Sequence, residues 1–323
     1  MIILAADIGG THSRFAVFDR CAEDRLCLQQ TCWLATGDVD NFGQLVDHLR
    51  KSELAEWLAC CRSVAIAVPG PVRNGKASNL PNVSWSLSTS QLQECFPRTP
   101  KESVHLINDF VAHVLACRTP AMANAICIQA GEKAPAGVVS AIGAGTGLGF
   151  CSLVPCSEDG HLVLPSEAGH QSFIFSSEDE RRYEDFLRKE TGQSTIDGNT
   201  VVSGRGLALL YRFVTGKDLL PQDVAERLGA KSEVSRLFAT YYGRAARDYV
   251  LTVLSTGGLY VTGGIAARNR FLVDHDAFRA EFSASPAHQA LLEKIPIHLN
   301  INEESGIWGA AGYALMRSKK GRC

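Results

Sequence analysis

Asp7 and the pair Asn108-Asp109 each follow a short apolar run, and so do three glycine turns: Gly9-Gly10-Thr11, Gly145-Thr146-Gly147 and Gly263-Gly264. Glycine lets a polyphosphate approach the main chain and take bonds from successive N–H groups. A carboxylate beside such a turn, Asp7, can orient a hydrated metal ion at the phosphate. Asp109 is free to act as a base on an attacking hydroxyl, with Asn108 beside it as a neutral amide that both donates and accepts. An equally open reading is that Asn108-Asp109 only caps the following helix. Glu167 and His170 lie three apart around Ala168-Gly169 and suit the vicinal hydroxyls of a sugar, although a plain loop salt bridge is the simpler alternative. Together these groups make an inventory for phosphoryl transfer to an alcohol, a reaction that depends on positioning and charge stabilisation.

The elements that must position these groups alternate between strand and helix. Residues 2–8 and 13–18 read as strands around the first glycine turn, and residues 138–150 repeat that design. The repetition implies two similar halves that clasp one phosphate chain. Ser63-Val64-Ala65-Ile66-Ala67-Val68, stopped by Pro69-Gly70-Pro71, and Val104-His105-Leu106-Ile107 read as buried strands. Asn41 is placed to cap a helix carrying Phe42, Leu45, Val46 and Leu49, continued by Leu54, Trp57 and Leu58. Ser88 caps a short helix through Leu92, and further helices are expected over 110–116, 176–189, 207–213, 232–254 and 307–316. Such alternation implies mixed α/β sheets with crossover connections, whose ligands bind outside the C-terminal strand ends.

The bulk composition narrows the class. Hydrophobic residues make up 46% and charged residues 20% of the 323, with a formal net charge of −2. This suits a globular protein of two domains and favours neither nucleic acid nor an acidic membrane surface. No uncharged apolar run approaches the ~18 residues that span a bilayer, and the N-terminus lacks a basic signal-peptide region. Eleven cysteines without C-x-x-C spacing are expected to be free thiols of a cytoplasmic protein, most of them small core residues.

Asp7-Ile-Gly-Gly-Thr, Leu106-Ile-Asn-Asp-Phe, Gly143-Ala-Gly-Thr-Gly-Leu-Gly, Glu167-Ala-Gly-His170 and Val261-Thr-Gly-Gly-Ile occur in one order across nearly the whole chain. In this the chain resembles the bacterial glucokinases of the actin-like ATPase and sugar kinase superfamily. The resemblance implies two actin-like (ribonuclease-H-like) α/β domains with mixed sheets flanked by helices and a cleft between them that closes on sugar. It implies a small domain of 1–108 plus 305–323, completed by the C-terminal helix, and a large domain of 109–304. It implies phosphorylation of glucose at its 6-hydroxyl by ATP and Mg²⁺, with Asp109 as base and Asp7 holding the metal through water. Asn108, Glu167, His170, Asn79 and the loop at Gly70 would hold the sugar. Gly9, Gly10, Thr11, Gly145, Thr146 and Gly147 would hold phosphates, and Gly263 and Gly264 would lie near the adenosine. A homodimer is implied on the same ground.

Two positions depart from the family pattern. His12 follows Thr11 where an asparagine is usual. The run Ile196-Asp197-Gly198-Asn199-Thr200-Val201-Val202 before Ser203-Gly204 lacks the glutamate commonly placed near the anomeric hydroxyl, for which Asp197 or Asn199 would substitute. These departures leave open a kinase for another hexose or amino sugar. A catalytically silent sugar-binding regulator is the alternative from another class, opposed by retention of Asp109 and by a start directly at the phosphate turn, which leaves no room for a DNA-binding segment.

Overall fold

The computed structural model describes residues 1–21, 25–77, 80, 83–156 and 160–320. The chain divides into two compact units, Met1–Ala123 together with Asn302–Cys323, and Asn124–Ile301.

The first unit opens with β1 (Ile2–Ile8), β2 (His12–Arg20) and β3 (Leu26–Ala35), followed by α1 (Phe42–Leu49), α2 (Ala55–Leu58) and β4 (Ser63–Val68). Three two-residue strands, β5 (Val72–Arg73), β6 (Lys76–Ala77) and β7 (Leu87–Ser88), form a small sheet of their own before α3 (Thr89–Cys95), β8 (Val104–Asn108) and α4 (Asp109–Ala116). The main sheet runs β3-β2-β1-β4-β8, antiparallel across β1–β2–β3 and parallel across β1–β4–β8. All six residues of β4 are buried, as expected of a central strand covered on both faces. Leu4, Ala6, Ile8, Val64 and Ile66 pack with α1 residues Phe42, Leu45, Val46 and Leu49. On the other side Phe18 meets Trp308 of the C-terminal helix (Ser305–Lys320) edge-on at 4.9 Å. That helix lies so close to α4 that a Cβ on Gly309 would run into the carbonyl of Ala112. Close packing on the C-terminal helix is why α4 belongs to this unit, whereas the sequence reading starts the second domain at 109.

The second unit contains β9 (Ile126–Gln129), β10 (Val139–Ala144), β11 (Leu148–Cys156) and β12 (Gly160–Ser166). Then come α5 (Glu178–Thr191), α6 (Gly198–Val201), α7 (Gly204–Thr215), α8 (Pro221–Arg227) and α9 (Glu233–Val253). β13 (Gly258–Thr262), α10 (Gly264–Arg268), α11 (Asp276–Ser283), α12 (Gln289–Leu292) and β14 (Ile297–Leu299) complete it. Its sheet runs β12-β11-β10-β13-β14-β9. Its first five strands repeat the order and sense of the first unit's sheet, three antiparallel and then two parallel, and β9 adds an antiparallel edge. The repetition read from the glycine turns is thus a repetition of whole sheets, in the mixed α/β arrangement of actin-like domains.

Capping signals held well. Asn41 and Ser88 each accept a bond from the backbone N–H three residues on, and the expected helix of 232–254 is α9, which the structure shows capped by Ser232. The first helix is shorter than its apolar spacing suggests. It ends at Leu49, where the Ser52 hydroxyl donates to the Leu49 carbonyl and accepts from the Leu54 N–H, so Trp57 and Leu58 form a separate turn. The expectation of free thiols fails at one pair. Cys21 and Cys27 form a disulfide, because β2 and β3 pair Arg20 with Leu26 and bring the two cysteines to a Cα separation of 6.2 Å. Of the described free cysteines only Cys32, Cys61 and Cys151 are buried. No helix among the described residues is long and apolar enough to cross a membrane.

Candidate active site

In the first unit, parallel pairing brings the candidate residues to one edge of the sheet. Asp7 pairs with Ala67 and Val68 with Asn108, so Asp7, Asn108 and the loop at Gly70 all stand at C-terminal strand ends. The turn between β1 and β2 is tight: the Gly9 N–H donates to the His12 carbonyl at 3.0 Å, and a Cβ on Gly9 would sit 2.9 Å from that oxygen. The Thr11 carbonyl accepts from the Thr36 N–H, which ties the turn to the end of β3. His12 opens β2 on the exposed side, its ring 6.4 Å from that of Trp33.

Asn108 caps α4, as the simpler reading expects, and also holds Asp109. Its Oδ1 accepts from the Phe110 N–H at 2.9 Å, and its Nδ2 donates to the Gly70 carbonyl at 2.9 Å and to Asp109 Oδ1 at 2.8 Å. The Phe110 N–H also donates to Asp109 Oδ1. The Asn108 and Phe110 bonds to Asp109 both fall on Oδ1. Gly70 has φ +82, a conformation that side chains rarely adopt, and this aims its carbonyl at the Asn108 amide. Burial pushes the Asp109 carboxyl up to about 7, the negative charge of Asp7 adds to the rise, and the Phe110 and Asn108 bonds only partly offset it. Asn79 lies outside the described residues.

Two neighbours of Asp7 escape sequence reasoning. Arg14 faces it across the β1–β2 pair, with Nη1 3.8 Å from Asp7 Oδ2, Nη2 3.8 Å from Glu303 and the guanidinium 4.4 Å above the Trp33 ring. Counting the register back from the glycine turn would have found this pairing. Gly306, in the first turn of the C-terminal helix, has no space for a Cβ, which would lie 2.5 Å from Asp7 Oδ2.

In the second unit the remaining candidates gather around the β10–β11 turn. The Gly145 N–H bonds the Gly147 carbonyl at 2.8 Å, the Gly204 N–H donates to the Gly145 carbonyl at 2.9 Å, and the Ala144 N–H donates to the Tyr242 hydroxyl at 3.0 Å. The turn is therefore fixed to the start of α7, whose cap is Ser203, and to the middle of α9. A helix N-terminus at a glycine turn favours an anionic ligand. Gly263, with φ +92, ends β13 so close that a Cβ would lie 2.6 Å from the Ala144 carbonyl. Gly264 has open space around it.

Glu167 and His170 bracket a single 3₁₀ turn, Ala168–His170, and both side chains are more than 60% exposed. A Cβ on Gly169 would collide with the Leu148 carbonyl, which keeps this turn against the start of β11. The two side chains lie 3.9 Å apart, but His170 Nδ1 is nearer to Asp197 Oδ2, at 3.2 Å. A backbone bridge between Ser172 and Asp197, with bonds from Phe173 N–H to Ile196 and from Gly198 N–H to Gln171, carries the 196–199 run to this turn. Both candidate substitutes for the missing glutamate thus reach His170: Asp197 through its carboxylate, and Asn199 through an amide nitrogen 3.1 Å from either ring nitrogen.

Among the described residues no three metal-ligating side chains cluster. Mg²⁺ bound with substrate phosphates needs only one or two protein carboxylates, the rest of its shell being water and phosphate. The Asp7 carboxylate, beside the Gly9-Gly10 turn, fits that donor set.

These features have known counterparts. A protein family described as glucokinase matches residues 4–317. The glucokinase of Sinorhizobium fredii is 32% identical, over 97% of this chain and 91% of its own. That of Pectobacterium atrosepticum is 28% identical over 96% of each. The crystal structure of a glucokinase from an Antarctic psychrotroph matches with a TM-score of 0.80 at 26% identity, covering 97% of this chain and 98% of that one. A ROK-family glucokinase from Streptomyces griseus, solved with glucose and AMPPNP, has the same fold with a TM-score of 0.62 at 18% identity, over 97% of this chain and 99% of its own. From the first glycine turn to the C-terminal helix, the chain belongs to the glucokinase family.

Proposed function

We propose that this protein transfers the γ-phosphoryl group of ATP to the 6-hydroxyl of glucose, with Asp109 as general base. The observation that carries the assignment is the state of that carboxyl. It is fixed through one oxygen by Asn108 and the Phe110 N–H, and pushed up to about 7 by burial and by Asp7. A base is most effective when its pKa lies near the working pH. Asp109 Oδ2 takes the hydroxyl proton as the sugar oxygen bonds to phosphorus and the bond to the ADP oxygen breaks; the proton then passes to solvent.

Glu167 and His170 hold ring hydroxyls. Asn108 has committed both amide hydrogens, to Gly70 and Asp109, so towards sugar it acts as an acceptor. The turns at Gly9-Gly10-Thr11 and Gly145-Thr146-Gly147 take the phosphates, and Gly263-Gly264 borders the adenosine. Asp7 would hold Mg²⁺ through water, and the ion when bound neutralises phosphate charge. Arg14 limits the repulsion between Asp7 and that phosphate.

Initial rates of ADP formation from ATP–Mg²⁺ across a panel of hexoses test the assignment. Glucose is expected to give the highest kcat/KM. Preference for another hexose would move the specificity to the 197–199 segment, and sugar binding without turnover would overturn the kinase.

A further inference from the structure

Ala144, the last residue of β10, is where the two glycine turns assigned to the nucleotide meet. Gly145 follows it directly, and a Cβ on Gly263 would lie 2.6 Å from its carbonyl oxygen and 3.1 Å from its nitrogen. The pairing of β10 with β13 runs only as far as Gly143 and Thr262, and Gly263 then takes φ +92. Past that point the Ala144 N–H finds its acceptor in a side chain, the Tyr242 hydroxyl, at 3.0 Å.

Tyr242 is well placed to hold a fixed point. It is fully buried on α9, and its ring meets Phe238 and Phe278 edge-on at 6.1 and 5.9 Å. Close packing around the ring fixes where the oxygen lies. Without that oxygen the Ala144 N–H would be a buried donor lacking an acceptor, and the strand end would have to shift to find one. Gly145 and the contact with Gly263 would move with it.

Tyr249 supplies the comparison. It lies seven residues on, two turns along the same face of α9, and is also buried. Its hydroxyl meets that of Ser152 at 2.9 Å, and Ser152 meets Ser140 at 2.7 Å, within the β10–β11 pairing and four residues back from Ala144. One helix thus gives two buried phenols to one sheet, the first at a strand end and the second inside the ladder.

We propose that Tyr242 is a positioning residue for the phosphoryl donor, holding through Ala144 the arrangement of Gly145-Thr146-Gly147 and Gly263 that binds nucleotide. The role rests on the assignment of those turns to ATP. Being fully buried, the hydroxyl acts through the main chain of Ala144 and not on the ligand itself.

The test is calorimetric titration of AMPPNP–Mg²⁺ and, separately, of glucose, for the wild type, Tyr242→Phe, Tyr249→Phe and Thr146→Val. Tyr242→Phe keeps the ring and its packing and removes only the acceptor. It should weaken AMPPNP–Mg²⁺ binding roughly tenfold and leave glucose binding within about twofold. Tyr249→Phe should lower Tm by a few degrees, as Tyr242→Phe does, yet leave both affinities within about twofold. That split separates positioning from a general loosening of the sheet. Unchanged nucleotide affinity in Tyr242→Phe overturns the proposal. Equal weakening of nucleotide binding in Tyr249→Phe, or equal loss of glucose binding in Tyr242→Phe, overturns it as well. Unaltered AMPPNP–Mg²⁺ binding in Thr146→Val would instead overturn the phosphate-turn assignment beneath it.

Discussion

The two units share a strand order and a glycine turn, yet they hold their candidate site residues in opposite ways. In the first, a carboxyl is withdrawn from water beside a second carboxylate, and its proton affinity is the product of that environment. In the second, Glu167 and His170 stand largely in solvent, and what is controlled is direction, through Asp197, Asn199 and the packed glycines. A duplicated scaffold therefore fixes where strand ends lie and leaves the chemistry to a few side chains around them.

The contrast can be broken most sharply at Asp109. Asp109→Asn keeps the Oδ1 acceptor and removes the base, so kcat should fall by ~10²-fold or more with glucose affinity little changed; near-normal turnover would falsify the assignment. In the wild type kcat/KM should rise with pH up to about 7 and then level, since the base works deprotonated. His170→Ala tests the other unit. Loss of a polar contact to sugar should raise KM for glucose by roughly tenfold while kcat changes less, and a loss confined to kcat would place His170 in the chemistry instead.

A stability effect separates the units further. An acid with a raised folded pKa binds more protons folded than unfolded between the ordinary carboxylate range and about 7, so it lowers stability as pH rises through that window. Asp109→Asn should therefore stabilise the protein against denaturant at pH 8 by on the order of 1–3 kcal/mol, and by little at pH 4. No gain at pH 8 would mean the carboxyl is not displaced. The smallest effect expected is from His12→Asn. An exposed ring leaning on Trp33 should change KM for ATP by about twofold at most, and a larger shift would bring His12 into the phosphate site.

Much of this arrangement was legible in the sequence because its signals are local. The glycine turns, the Asn41 and Ser88 caps, and the strand-end position of Asn108-Asp109 depend on near neighbours. What stayed hidden depends on distant pairing. Strand β3 is an edge strand with mixed burial and no clean alternation, so no period marks it. The meeting of Asp197 and Asn199 with His170 rests on one backbone bridge between Ser172 and Asp197, which composition cannot announce. Gly306 and Gly309 resemble ordinary helix residues until the carboxylate of Asp7 and the backbone of α4 are seen against them.

That last contact sets a schedule for synthesis. The second unit is continuous in the chain and can fold as it leaves the ribosome, whereas the helix that covers β1 and abuts α4 is made only after all of it. At the usual ~5–20 residues per second, the first unit waits roughly ten to thirty-five seconds without the helix that packs on β1 and α4. During that interval α4, which begins at Asp109, lacks the helix that packs against its Ala112 turn.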